Sequence, residues 1–105
     1  MTDKEKILDL IKTNIKKTDP TATIILYGSY ARGDHHKDSD IDLVVLVNKE
    51  NLTRYDKKKI KYPLYDIEFD TGIIISPMVL SKKDWEKMHK KTPFFENVNR
   101  EGKKL

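Results

Sequence analysis

Asp40 and Asp42 stand one residue apart, shortly after Gly28 and Ser29, in the stretch LYGSYARGDHHKDSDIDLVVLV that runs from residue 26 to 47. Alternate residues of an extended chain point to one side, so a strand over 40–47 turns both carboxylates to the same face. Two like charges so placed repel unless a cation lies between them. Mg²⁺, or Mn²⁺ in its place, takes oxygen ligands and is commonly held by one or two carboxylates together with substrate phosphates. Gly28 lets the backbone approach a ligand closely. Ser29 offers a hydroxyl and opens one helical turn over 29–32, whose free N–H groups favour an anion. A phosphate pocket facing a metal pocket is the layout that phosphoryl or nucleotidyl transfer needs. An isolated D-x-D usually marks a turn edge, and an isolated G-S carries less still. Here one directly follows a buried strand and the other starts the next, and that conjunction carries the reading.

The elements that must position these residues follow from periodicity. Thr2 with Glu5 has the spacing of a capping box. Ile7, Leu8, Ile11 and Ile15 then recur at helical spacing, which predicts a helix over 3–18, ended by Asp19-Pro20. Residues 23–27 are β-branched and apolar, hence a buried strand that Gly28 breaks. Residues 33–39 are polar and loop-like. The run of five apolar residues from Leu43 suggests that the second strand is buried on both faces. Residues 52–71 admit two readings. Ile60, Leu64 and Ile67 fit a helix containing Pro63, whereas Tyr65, Ile67 and Phe69 alternate with acids as a strand would. After Gly72, residues 73–80 form the expected third strand, with Pro77 marking an edge or a bulge. Ser81 with Asp84 opens a helix over 82–90 that carries Trp85 and Met88. Thr92, Pro93 and Gly102 bound a last short helix. The expected order is helix, strand, strand, helix, strand, helix, helix: an α/β (α+β) fold with a small mixed sheet.

Composition narrows the function classes. At 105 residues the expectation is one domain with a modest core. Charged residues make up 36% and hydrophobic ones 37%, there is no membrane-length apolar run, and the acidic residues near the start argue against a signal peptide. The absence of cysteine excludes disulfides and thiolate metal sites and fits a reducing cytoplasm. The net charge of +4 rests almost wholly on dispersed lysines. Lys57, Lys58, Lys59 and Lys61 read as a solvated face rather than a nucleic-acid patch.

The stretch GSYARGDHHKDSDIDLVV resembles the G-S-x-A-R-G…S-D-x-D-L signature of the nucleotidyltransferase superfamily that includes DNA polymerase beta. The short chain resembles its minimal members, the MNT proteins, with weaker similarity through TGIIISPMVLSKKDWEKM and PFFENVNREGKKL. The resemblance implies a nucleotidyltransferase fold and transfer of a nucleoside monophosphate from a nucleoside triphosphate to a hydroxyl. It implies that Gly28 and Ser29 bind the nucleotide phosphates, that Asp40 and Asp42 hold Mg²⁺, and that Arg32 supports the loop or the phosphates. It also implies a third carboxylate on the next strand. Aligning that strand by Gly72 puts Ser76 near the slot, and residues 73–80 contain no acid. Family-like spacing favours the helical reading of 52–71, which places Asp66, Glu68 and Asp70 away from the metal pair.

Two functions therefore compete. One is an enzyme that uses Asp40, Asp42, Gly28, Ser29 and Arg32 to transfer a nucleotide. The other is an antitoxin-like partner of a helical HEPN protein, with weak turnover or none, because MNT proteins without an acceptor domain resemble one half of such two-component systems. Self-association is a further expectation. His35 and His36, adjacent in a polar loop, read as solvated. Trp85, Phe94 and Phe95 read as core or partner-packing residues rather than base-stacking ones.

Overall fold

The computed structural model describes residues 2–88 and 92–105. Helix α1 (Asp3–Thr18) starts where Thr2 Oγ1 accepts the Glu5 amide at 3.1 Å, and it buries Ile7, Ile11 and Ile15 along one face. Strand β1 (Thr23–Tyr27) runs into the single turn α2 (Ser29–Arg32). Strand β2 (Ile41–Val47) follows the polar loop, and Asp40 lies just outside it rather than forming its first residue.

The ambiguous middle segment is helical throughout. Helix α3 (Arg54–Thr71) carries Pro63 in its interior and packs Ile60, Leu64 and Ile67 inward. A reciprocal capping box sets its start: Thr53 Oγ1 accepts the Asp56 amide while Asp56 accepts the Thr53 amide. Gly72 ends it at φ 72°, the left-handed conformation that glycine adopts without steric cost. The third strand, β3 (Ile75–Ser81), begins two residues later than residues 73–80 predict and reaches one residue further. Ile73 and Ile74 instead lead into it, with Ile74 accepting the Ile41 amide through its carbonyl at 2.8 Å.

Helix α4 (Lys82–Lys87) is capped by Ser81 Oγ, which accepts the Asp84 amide at 3.0 Å. The predicted continuation to 90 falls partly outside the described residues. Helix α5 (Pro93–Glu101) follows, with Thr92 as its cap, and then β4 (Lys103–Lys104), a short strand that nothing in the residue pattern announces.

The sheet order is β3-β2-β1-β4, with β2 and β3 parallel and the other pairs antiparallel. The mixed four-stranded sheet with helices matches the expected architecture. Pro77 sits on β3, an edge strand, where a missing N–H is tolerated. The central β2 is covered on both faces, as its unbroken apolar run requires. Leu43, Val45 and Val47 pack with α1 and α3, whereas Val44 and Leu46 pack with Ile25, Trp85, Phe95 and Val98. Trp85 and Phe95 are thus core residues, their rings 4.4 Å apart. Among the described residues no helix is long and apolar enough to cross a membrane.

Candidate active site

The side chains of β2 alternate, so Asp42 shares a face with Val44 and Leu46, at the end of the strand nearest its start. Register places it between two neighbours: Tyr27 of β1 and Ser76 of β3 lie level with it. Tyr27, Asp42 and Ser76 thus make one row across three strands on one face. Asp40 comes two residues before Asp42, exposed at the strand mouth.

Gly28 closes the row from above. It sits between β1 and α2 at φ 74°, ψ −155°, a conformation essentially restricted to glycine. A Cβ built on it would stand 2.5 Å from Asp42 Oδ2, well inside contact distance. Its carbonyl accepts the amides of Ala31 and Arg32, which winds the turn that begins at Ser29. The loop predicted to hold phosphates and a carboxylate predicted to hold the metal therefore touch. Gly28, Ser29 and Asp42 are brought together, with Asp40 at the rim.

The electrostatics follow from burial and the closeness of the two acids. Burial pushes the Asp42 carboxyl above the ordinary carboxylate range, and the Asp40 charge pushes it further. Arg32 offsets part of this. The Tyr27 phenol is also raised, first by burial and then by the Asp42 charge. Concentrated negative potential with oxygen donors suits a hard divalent cation. The two carboxylates, Asp40 and Asp42, are of the chemistry that would hold such an ion.

Arg32 is oriented by acids rather than left free. Its Nε donates to Asp34 Oδ2 at 3.2 Å and its Nη1 to Glu101 Oε2 at 3.1 Å. Glu101 is far away in sequence, and residue spacing offered no signal for this tie between the loop and α5.

The acids of α3 do not complete the metal site. Glu68 Oε1 accepts the Ile75 amide at 2.7 Å, which fixes the entry of β3, while Asp66 and Asp70 are exposed on the helix. On β3 the residue level with Asp42 is Ser76, and the exposed Ile74 lies just before the strand. Neither is acidic. Among the described residues no group of three or more His, Asp or Glu side chains is arranged to hold a metal ion.

The two histidines differ. His36 is exposed, as expected, and its Nδ1 accepts the Asp38 amide at 3.2 Å. His35 departs from the solvated expectation: its ring stacks on Tyr30 with centroids 4.2 Å apart, and its Nδ1 is buried without a hydrogen-bond partner. The stacking partner lies five positions upstream, on the turn that Gly28 opens, and covers a ring that the polar loop alone would leave in water.

Comparison with known proteins points the same way. A family model described as a nucleotidyltransferase domain matches residues 5–96. A putative protein adenylyltransferase of Methanocaldococcus jannaschii is 35% identical over 85 residues, which cover 80% of this chain and 78% of that protein. A second from the same organism is 37% identical over 81 residues, 74% of this chain and 55% of that protein. The protein adenylyltransferase MntA of Shewanella oneidensis is 38% identical over 56 residues, 51% of this chain and 38% of that protein. Among solved structures, a variant of the toxin–antitoxin pair MntA-HpeT matches with a TM-score of 0.56 at 23% identity, covering 100% of this chain and 72% of that one. A toxin–antitoxin structure with AMP-PNP matches with a TM-score of 0.53 at 24% identity, covering 98% and 72%. The structural likenesses establish the shared fold.

Proposed function

The chain belongs to the nucleotidyltransferase domain family, and from that premise we propose that it transfers a nucleoside monophosphate, AMP by analogy with its relatives, to a hydroxyl on a partner protein. The observation that carries this reading is the contact between the Gly28 turn and the Asp42 carboxylate. It sets a phosphate-binding backbone against a cation-binding side chain, which a turn of purely structural purpose has no need to do.

Each residue has a defined part. The Gly28–Ser29 turn presents backbone N–H groups and the Ser29 hydroxyl to the β- and γ-phosphates. Arg32, held in orientation by Asp34 and Glu101, adds positive charge beside the same phosphates. Asp40 and Asp42 would hold one Mg²⁺, which would supply charge neutralisation for the triphosphate and for the displacement. The acceptor oxygen then bonds to the α-phosphorus in line with the departing group. The bond from that phosphorus to the bridging oxygen breaks, pyrophosphate leaves, and the hydroxyl proton passes to solvent.

A second reading keeps the same site but gives it little turnover: an antitoxin-like module that binds nucleotide and a helical HEPN-type partner. Its support is specific, since Ser76, and no acid, stands level with Asp42 on β3. Titratable metal-site geometry separates the two. Ser76→Asp adds a carboxylate level with Asp42. Loss of an outer partner of a metal ligand alone changes metal affinity by about 10–100-fold, so the added acid is expected to raise Mg²⁺ affinity in the presence of nucleotide by about tenfold or more. Unchanged affinity in a folded variant would remove Ser76 from the cation site.

The test of the function itself is incubation with α-labelled ATP, Mg²⁺ and the protein encoded by the neighbouring gene, whatever it proves to be. The expected result is label on a partner hydroxyl with release of pyrophosphate, abolished by Asp42→Asn. Nucleotide binding with no transfer, even from the Ser76→Asp variant, would favour the binding module.

A further inference from the structure

Helix α3 leaves a contiguous aromatic stripe in water. Tyr55, Tyr62 and Phe69 are spaced seven residues apart and are 66%, 54% and 90% exposed, with Tyr65 beside them at 48%. At 100° per residue, a seven-residue step returns to nearly the same side of a helix. The stripe lies directly opposite Ile60, Leu64 and Ile67, which face the core. An α-helix with apolar surface on both sides is unusual for a lone surface helix, and exposed apolar surface gathered in one patch marks an interaction site.

The charges on the stripe's flanks say what covers it. The exposed residues of the first half of α3 include Arg54, Lys58 and Lys59, whereas those of the second half include Asp66 and Asp70. The helix is basic at one end and acidic at the other. That pattern is complementary to itself when reversed. We propose that α3 is a homodimer interface, in which the α3 helices of two copies of this chain pack antiparallel about a two-fold axis level with Tyr62.

The geometry of that pairing is specific. Tyr62 meets its own counterpart at the axis, and Tyr55 lies level with Phe69 of the second copy. Lys59 and Asp66 are seven residues apart, so both project on the same flank of the stripe. A two-fold axis across antiparallel helices sets each flank against the same flank in reverse order, and so places Lys59 against the second copy's Asp66. Symmetry makes this pair twice, as an isologous interface requires. Within one copy the aromatic rings are already braced for the contact. Lys59 Nζ stands 4.5 Å from the Tyr55 ring centroid, and the Tyr62 and Tyr65 centroids are 5.8 Å apart. The exposed apolar residues are therefore aromatic anchors, the type that dominates interface energetics. The contact length is that of α3, about 27 Å by helix rise, which suits a reversible dimer rather than an obligate one. The interface leaves the Gly28–Asp42 site uncovered and is independent of the nucleotidyl-transfer reading.

Charge exchange tests it without disturbing the core, because both residues are exposed. Sedimentation or light scattering of the intact chain over roughly 10 µM to 1 mM is expected to show a concentration-dependent shift to twice the monomer mass. Lys59→Asp and Asp66→Lys should each weaken association by about tenfold or more, since each sets like charges opposite one another at two places. An equimolar mixture of the two single variants, or the double variant alone, should restore the dimer. A chain that stays monomeric over that range would overturn the proposal, including the case in which the same face binds a different protein. So would a dimer indifferent to both single variants, or one not restored by the mixture.

Discussion

Asp42→Asn is expected to weaken Mg²⁺-dependent nucleotide binding by at least about hundredfold while leaving the fold intact. Partners that merely support a metal ligand are worth about 10–100-fold in affinity, and Asp42 is one of two carboxylates proposed to touch the ion directly. The amide keeps the size and shape of the side chain, so the Gly28 turn above it need not move. The charge it removes is one the folded protein bears at a cost. Burial and then Asp40 raise the Asp42 carboxyl above its ordinary value of 3.8. In the pH window between that value and the raised one, the folded chain keeps a proton that the unfolded chain has lost. Metal-free protein should therefore lose stability as pH rises through the window, and the Asn variant should not. Cation affinity should show the reverse trend, falling as pH drops through the raised value, because the protonated carboxyl is a poor ligand. Calorimetric titration with Mg²⁺ and a non-hydrolysable ATP analogue checks the first outcome, and thermal melts across the acid range check the second. Undiminished binding by the folded variant would exclude Asp42 from the cation site.

Gly28→Ala is expected to damage stability and binding together. The backbone there sits at φ 74°, ψ −155°, where a side chain costs on the order of 1–3 kcal/mol. For a domain of this size, each kcal/mol lowers the midpoint of thermal unfolding by about 4–8 °C. The added methyl also meets Asp42 Oδ2 at 2.5 Å. The carboxylate must swing away or the turn must shift, and either movement separates the phosphate-binding turn from the cation ligand. Gly33→Ala is the matched control. Gly33 lies at φ 81°, but no atom within 4 Å would meet its Cβ. It should lose stability to backbone strain, about 1–2 kcal/mol, and keep most of its nucleotide affinity. Equal losses of affinity in both variants, measured below their melting temperatures, would mean that Gly28 acts through stability alone.

The parts of this molecule that were legible in its residues are those where one strong local pattern met no competitor. Ile7, Ile11 and Ile15 specify a helix face, Leu43 to Val47 specify a strand covered on both sides, and Gly72 specifies a helix end. The closeness of the Gly28 turn to Asp42 was legible because a glycine break after one strand faces the start of the next. What was not legible depended on partners distant in sequence. Strand β4 is two lysines, with no apolar alternation to betray it. It exists because β1 offers an open edge, where Lys103 and Lys104 pair with Leu26 and Ile25. The start of β3 is set by Glu68 reaching across from α3 to the Ile75 amide, which Ile73 and Ile74 could not reveal. Arg32 was expected to support the loop or the phosphates; it bonds Asp34 of the loop, and its second bond, to Glu101 on α5, arises only in the fold. The two readings of residues 65–70 have a local signal that separates them. Thr53 and Asp56 form a capping box and announce a helix before its interior is read.

In the proposed function the nucleotide and its cation bind between the Gly28–Ser29 turn and Asp42. Substoichiometric Mn²⁺, added with a non-hydrolysable ATP analogue to isotope-labelled protein, broadens the NMR signals of nuclei near the bound ion. Amide signals of Gly28, Ser29, Asp42 and Ser76 are expected to disappear first, those along α3 to persist, and Asp42→Asn to abolish the selectivity. Selective broadening centred instead on the crevice lined by Asp19, Lys49 and Asp56, with the signals around Gly28 unchanged, would contradict it.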